Sequence, residues 1–196
     1  MRPEASCLPM HLINQSIRSA LAVFIAIYGS AIAAFPSHCA PDEYAILDSW
    51  MGEVHATEGG WRNRKNGKFL SLCANSKSEP FTKVTYRYGF LGQEELVVVA
   101  TQSAKFKIAS MQLAPRLGTE VIFFKKGNYT YYVSVATGQG HGVSLDVFKG
   151  SKSIASHFSG NDEGGDYQFG PAKMDFAPNR SRSPVFMLEK PKHVLR

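Results

Sequence analysis

From Lys68 to about residue 158 the chain alternates side chains with a period of two, and glycine-bearing turns interrupt it at spacings of roughly ten residues. That rhythm limits the fold more than anything else in the sequence. Successive side chains of a strand point to opposite faces, so a two-residue period buries one face and wets the other. Val84, Tyr86 and Tyr88 fall on one face, as do Tyr129, Tyr131, Val133 and Val135, and again Val143, Leu145 and Val147. Phe106 and Ile108 alternate with Lys105 and Lys107. Leu96–Val99 and Val121–Phe124 are unbroken apolar runs that suit central strands. Lys126-Gly127-Asn128 and Lys149-Gly150-Ser151 read as tight hairpin turns. No helical pattern separates these runs. The expectation is an all-β fold, an antiparallel sandwich or barrel of about 7–8 strands.

The flanks differ. Tyr44, Leu47 and Met51 recur at helical spacing behind Asp42, which predicts a short helical region over residues 43–51. Gly59, Gly60, Asn63, Asn66 and Gly67 then predict a long loop. After residue 158, glycines and prolines predict a loop-rich wrap with one edge strand at 185–188 and a mobile end from Lys190. The expected organisation is a leader over residues 1–33, a loop and short helix over 34–66, a β-domain core over 67–158 and a wrap and tail over 159–196.

The leader is read from the uncharged run at residues 20–28, too short to span a bilayer comfortably, with Arg18 before it and small residues after it. Ala31 and Ala33 fit a signal peptidase pocket, which places the cut after Ala33; an uncleaved anchor is the alternative. The expected location is periplasmic or secreted, with no stable membrane insertion after cleavage. Cys7 leaves with the leader, and Cys39 and Cys73 remain as a pair in an oxidising compartment. A disulfide between them is the default, and two buried thiols are the alternative.

Gly67-Lys-Phe-Leu-Ser-Leu-Cys73, Val84-Thr-Tyr-Arg-Tyr-Gly89, Glu94-Glu-Leu-Val97 and Tyr131-Tyr-Val-Ser134 resemble an uncharacterised family of small secreted proteobacterial β-proteins. The resemblance covers residues 68–156. It implies export and an all-β fold, and nothing about mechanism. Members carry further cysteines before the first lysine strand and after the last hairpin, where this chain has His157 and Phe158 instead, so their disulfide pattern does not transfer.

Trp61, Arg62, Arg64, Lys65 and Lys68 put four cations within seven residues beside an indole. Guanidinium forks bind carboxylates and phosphates, and an indole offers a flat apolar face. Trp61–Lys68 is therefore the first candidate ligand-binding patch, against the plainer reading of a solvated loop. His141, among the glycines of Gly138–Gly142, is a candidate base or contact residue, against that of an exposed turn histidine. Asn161-Asp-Glu-Gly-Gly-Asp166 carries oxygen donors but lacks the spacing and bidentate glutamate of an EF-hand loop, so a solvated acidic turn is expected and no metal. Ser134, His141 and Asp146 have no nucleophile-elbow signature around them. The sequence has no P-loop, dinucleotide fingerprint or His-Glu-x-x-His, so no cofactor is expected. A net charge of +6 is mild, and export removes nucleic acid as a partner.

The expected function is a non-enzymatic binding protein for a protein partner, such as a toxin or hydrolase, or for an anionic envelope glycan. The alternatives are an envelope hydrolase centred near His141, or a structural component of a surface or secretion assembly joined through a strand edge.

Overall fold

A computed structural model describes residues 34–193, apart from Arg116, Gln139 and Pro178. The leader expected over residues 1–33 lies outside the described residues. Residues 34 onward form one compact unit. Its described residues contain strands and no helix. The strands are β1 (Tyr44–Met51), β2 (Val54–Thr57), β3 (Gly60–Asn63), β4 (Lys68–Ala74), β5 (Val84–Phe90), β6 (Gln93–Ala100) and β7 (Phe106–Ala114). They continue with β8 (Leu117–Lys126), β9 (Tyr129–Gly138), β10 (Gly142–Lys149), β11 (Lys152–Phe158), β12 (Tyr167–Phe169) and β13 (Phe186–Leu188).

Two main sheets result. One has the order β12-β1-β4-β5-β6 and the other β11-β10-β9-β8-β7-β13; β2 and β3 form a separate hairpin. Pairing is antiparallel throughout the large ladders except for β13, which runs parallel to β7. The two ladders do not close into a barrel. They share one core: Ile46, Leu70, Leu72, Val84 and Tyr86 from the first sheet meet Ile108, Ile122, Phe124, Val133 and Leu145 from the second. The alternating residues predicted to face inward on β5, β9 and β10 do so, except that Tyr129 lies beyond the core and is exposed. Phe124 anchors the centre, stacked on Phe106 at 4.7 Å and Tyr131 at 5.3 Å, with Tyr86 edge-on at 4.8 Å.

The expected short helix at 43–51 is strand β1. Its burial runs almost without a break because it lies between β4 and β12 and is covered on both faces. Two-sided burial erases the alternation that marks a strand, and the helical spacing of Tyr44, Leu47 and Met51 is then a coincidence. The first strand of the core therefore comes well before Lys68. The long loop expected before Lys68 is instead the β2–β3 hairpin, with Gly59 and Gly60 at its turn. The wrap after residue 158 contributes one short edge strand to each sheet, β12 and β13, the second close to the predicted 185–188.

Each sheet also has a cover on its outer face. Residues 34–43 lie over the first sheet: Phe35 and His38 pack on Phe69, and Cys39 is disulfide-bonded to Cys73 on β4. Beyond β13 the chain crosses the second, where Glu189 N–H donates to the Ile108 carbonyl, the Lys192 N–H hydrogen-bonds the Tyr132 hydroxyl, and His193 stacks on Phe148 at 4.4 Å. The described part of the tail, expected to be mobile from Lys190, is thus packed as far as His193. That cover explains β8, where Val121 and Phe123 are buried outward while Ile122 and Phe124 are buried inward. It does not explain β6. Leu96–Val99 is an equally apolar run, yet β6 is the edge of its sheet, with Val97 39% and Val99 42% exposed.

Candidate functional site

The β2–β3 hairpin positions Trp61. Thr57 Oγ1 donates to the Gly60 carbonyl at 3.0 Å across its turn. The segment after β11 then folds against it. Asn161 grips Trp61 twice: its Oδ1 accepts from Trp61 N–H at 2.8 Å, and its own N–H donates to the Trp61 carbonyl at 2.8 Å. Asn161 Nδ2 donates to the His141 carbonyl at 2.5 Å. Trp61, His141 and Asn161, distant in sequence, are thereby brought to one surface. The Trp61 side chain remains 49% exposed and His141 is exposed.

Asp166 holds this junction from below. It is almost fully buried, and its carboxylate accepts from Asn63 N–H at 3.1 Å and Asp162 N–H at 3.2 Å. Its carbonyl accepts from Trp50 N–H on β1 at 2.9 Å. Gly160, at φ 99°, has to be glycine twice over: few side chains adopt that backbone, and a Cβ would strike the Asp166 carboxylate.

Three of the four cations expected to make this patch basic are ion-paired. Arg62 is ion-paired with Asp162, Lys68 with Glu95, and Arg64 approaches Glu53 at 3.7 Å. Lys68 also lies over the rings of Tyr88 and Phe90, at 5.5 and 5.8 Å. Lys65 stands next to the hairpin in a left-handed turn, its N–H bonded to Asn63 Oδ1 at 2.8 Å. Lys65 has no ion-pair partner among the described residues, so the patch is a face of mostly paired charge around one exposed indole. The acidic loop supplies one of these partners, Asp162. Asn161, Asp162 and Asp166 use their side-chain oxygens on the protein's own donors, so the loop acts as a brace. Trp50, on β1, packs edge-on against Phe69 at 5.1 Å.

Ser134, His141 and Asp146 do not assemble into a nucleophilic set. Ser134 and Asp146 are buried within β9 and β10, and the strand rise places Asp146 roughly 13 Å along β10 from Gly142, next to the exposed His141.

A second polar centre, unread in the sequence, lies beneath residues 34–43. Asp48 on β1 accepts from Ser71 Oγ at 2.5 Å and from Ser37 Oγ at 2.9 Å, while His38 N–H donates to Ser71 Oγ at 3.0 Å. Burial pushes the Asp48 carboxyl up to about 6, against the pull of those two hydroxyls. Along the same face, Glu43 bonds Lys83 at 3.1 Å and Arg87 at 3.0 Å. Burial pushes Glu43 up, but the Ala40 N–H, Lys83 and Arg87 outweigh it and hold the carboxyl below its usual range. These groups fasten the amino-terminal cover. An Asp inside an apolar strand was their only sequence signal, and it was masked by the helical reading of residues 43–51.

The chain matches no known protein family, no curated protein and no solved structure.

Proposed function

We propose that this is an exported β-sandwich that binds a protein partner through the Trp61 hairpin and performs no chemistry there. The observation that carries the reading is a half-exposed indole carried on backbone that a strand ladder and both Asn161 bonds hold in place. Tryptophan and arginine are the common energetic anchors of protein interfaces, and an anchor whose backbone is already held loses less entropy on binding. Paired neighbouring charges favour a protein surface over a polyanion, because little net positive charge remains to attract one. The Cys39–Cys73 disulfide supports an oxidising compartment, periplasmic or extracellular.

Trp61→Ala is expected to weaken the partner complex about 30-fold, the equivalent of about 2 kcal/mol, with little change in the melting temperature. The check is quantitative pull-down from periplasmic extract, alongside the Trp61→Ala/Arg62→Ala/Arg64→Ala variant. Retention of every partner by the triple variant would remove the hairpin from the interface.

A second reading, a component of a larger assembly, is favoured by one observation. β6 is an edge strand with exposed Val97 and Val99, and its neighbouring Glu94 and Glu95 are already paired with Arg87 and Lys68. Such an edge lacks the unpaired charge that normally blocks strand addition. Val97→Lys/Val99→Lys is expected to abolish any concentration-dependent association seen by light scattering. A wild-type chain that stays monomeric in native extract argues against this role.

A further inference from the structure

A surface cavity of about 440 Å³ lies on the outer side of the first sheet, where residues 34–43 cross β1 beside β12. Phe35, Pro41, Tyr44, Ala45 and Pro171 give it apolar walls, and Ser37 and Gln168 add polar groups. Its charge is one-sided. On a chain of net charge +6, two carboxylates line it, Glu43 and Asp48, and among the described residues no lysine, arginine or histidine does. Lys77, 5.4 Å from the Tyr44 ring centroid, stands outside the lining.

The two carboxylates differ. Glu43 is matched by Lys83 and Arg87, and both of its oxygens are engaged. Asp48 has no cation partner among the described residues. The two hydroxyls that reach it, from Ser37 and Ser71, donate to the same oxygen, Oδ1. Its Oδ2 accepts no hydrogen bond among the described residues, although Asp48 is only 6% exposed. A carboxylate in such surroundings is costly until each oxygen meets a donor.

We infer that this cavity binds a small organic cation, a primary ammonium on a ring-sized apolar body, with Asp48 Oδ2 as its counter-ion. The N–H bond from an ammonium to a carboxylate is charge-assisted, and the rings of Phe35 and Tyr44 add faces that attract a cation. The volume is toward the lower end of the range of small-molecule sites and suits one ring with a short arm. A divalent metal fits less well, since it asks for about six oxygens and Asp48 Oδ2 is the one carboxylate oxygen of the lining still unengaged. The site is separate from the Trp61 hairpin and does not depend on the role proposed for it.

A pH signature follows. In register with Asp48 stand Ser71 on β4, Arg87 beyond it on β5, and Gln168 on β12. Arg87 is held by Glu43 and Glu94, and His38 of the cover lies with its ring 3.4 Å from the Gly89 carbonyl. Asp48 is therefore the group that titrates in the cavity. With its carboxyl at about 6, it is about one-tenth ionised at pH 5 and about nine-tenths at pH 7, whereas a primary amine is protonated at both.

The test is calorimetric titration of the chain from Ala34 onward with 2-phenylethylammonium chloride and with its neutral isostere 2-phenylethanol. The amine is expected to bind saturably at pH 7, at least tenfold more tightly than the alcohol, and to weaken about tenfold at pH 5. Asp48→Asn, which keeps an acceptor for both serines, should bind the amine no better than the alcohol at either pH. Near-ultraviolet circular dichroism checks that the variant keeps its fold. Amide shifts at Phe35 and Tyr44 should place the bound amine. Trp61→Ala should leave its affinity unchanged, so this inference and the hairpin's role fail separately. A second form, with Gly-Ser placed before Ala34, moves the chain's own α-ammonium away from the cavity and should bind the amine equally well. Equal binding of the alcohol, an affinity that neither pH nor Asp48→Asn changes, or no saturable binding by either form would each overturn the inference. So would displacement of the amine by millimolar magnesium chloride, or binding by the extended form alone, which would show that Ala34's own ammonium fills the site.

Discussion

Replacing Cys39 and Cys73 together by alanine is expected to cost about 4 kcal/mol and to lower the melting temperature by about 10 °C. The bridge joins residues separated by 34 positions, and releasing a loop of that length returns conformational freedom to the unfolded chain. The native state loses something as well. Residues 34–43 lie over Phe69 and Asp48, and the disulfide is the covalent part of that attachment. Thermal melting with and without reductant is the measurement. Reduced wild type should melt with the variant, and urea titration should give the same difference. A loss below about 1 kcal/mol would mean that the polar contacts of the cover hold it without the bridge.

The second large effect is a pH dependence set by Asp48. Its folded-state value of about 6 lies above the ordinary 3.8, so the native protein holds this proton more tightly than the unfolded chain does. The associated stability is complete below about pH 4 and is lost as pH rises through about 6, at a cost of about 3 kcal/mol by neutral pH. Asp48→Asn keeps an acceptor for Ser37 and Ser71 and has no proton to lose. The variant should therefore gain on wild type by most of that amount between pH 4 and 7. Glu43 has the opposite sign: it is held below its usual range by the Ala40 N–H, Lys83 and Arg87, so its stabilisation fails as pH falls. Glu43→Gln should remove part of the acid sensitivity and leave neutral stability reduced. Chemical denaturation across pH 3–8 separates the two carboxylates. A wild-type-minus-Asp48→Asn difference that does not change with pH would show that the buried carboxyl is neutral, or ionised, throughout.

Strands covered on one face were legible in the sequence. β5, β9 and β10 each bury one side, so Tyr86, Val133 and Leu145 recur at the period that reports a strand. β1 was not legible, because both its faces are covered and the alternation disappears. β6 was misplaced for the converse reason. Its four consecutive apolar residues imply two covered faces, but residues 34–43 pack over β1, β4 and β5 and leave Val97 and Val99 in solvent. The residues of the Trp61 patch were legible as a cluster, but their charge state was not. Arg62 meets Asp162 a hundred residues later, and no local pattern encodes that pairing.

By itself the sequence determined the all-β class, most of the inward-facing residues and the cysteine pair, since each depends on local periodicity or on a count. Tertiary structure alone decided which strands are central, which lysines keep their charge unpaired, and which carboxyls are buried. Those properties depend on which distant segment covers a given face, and a side chain's burial and ionisation follow from that cover rather than from its neighbours in the chain.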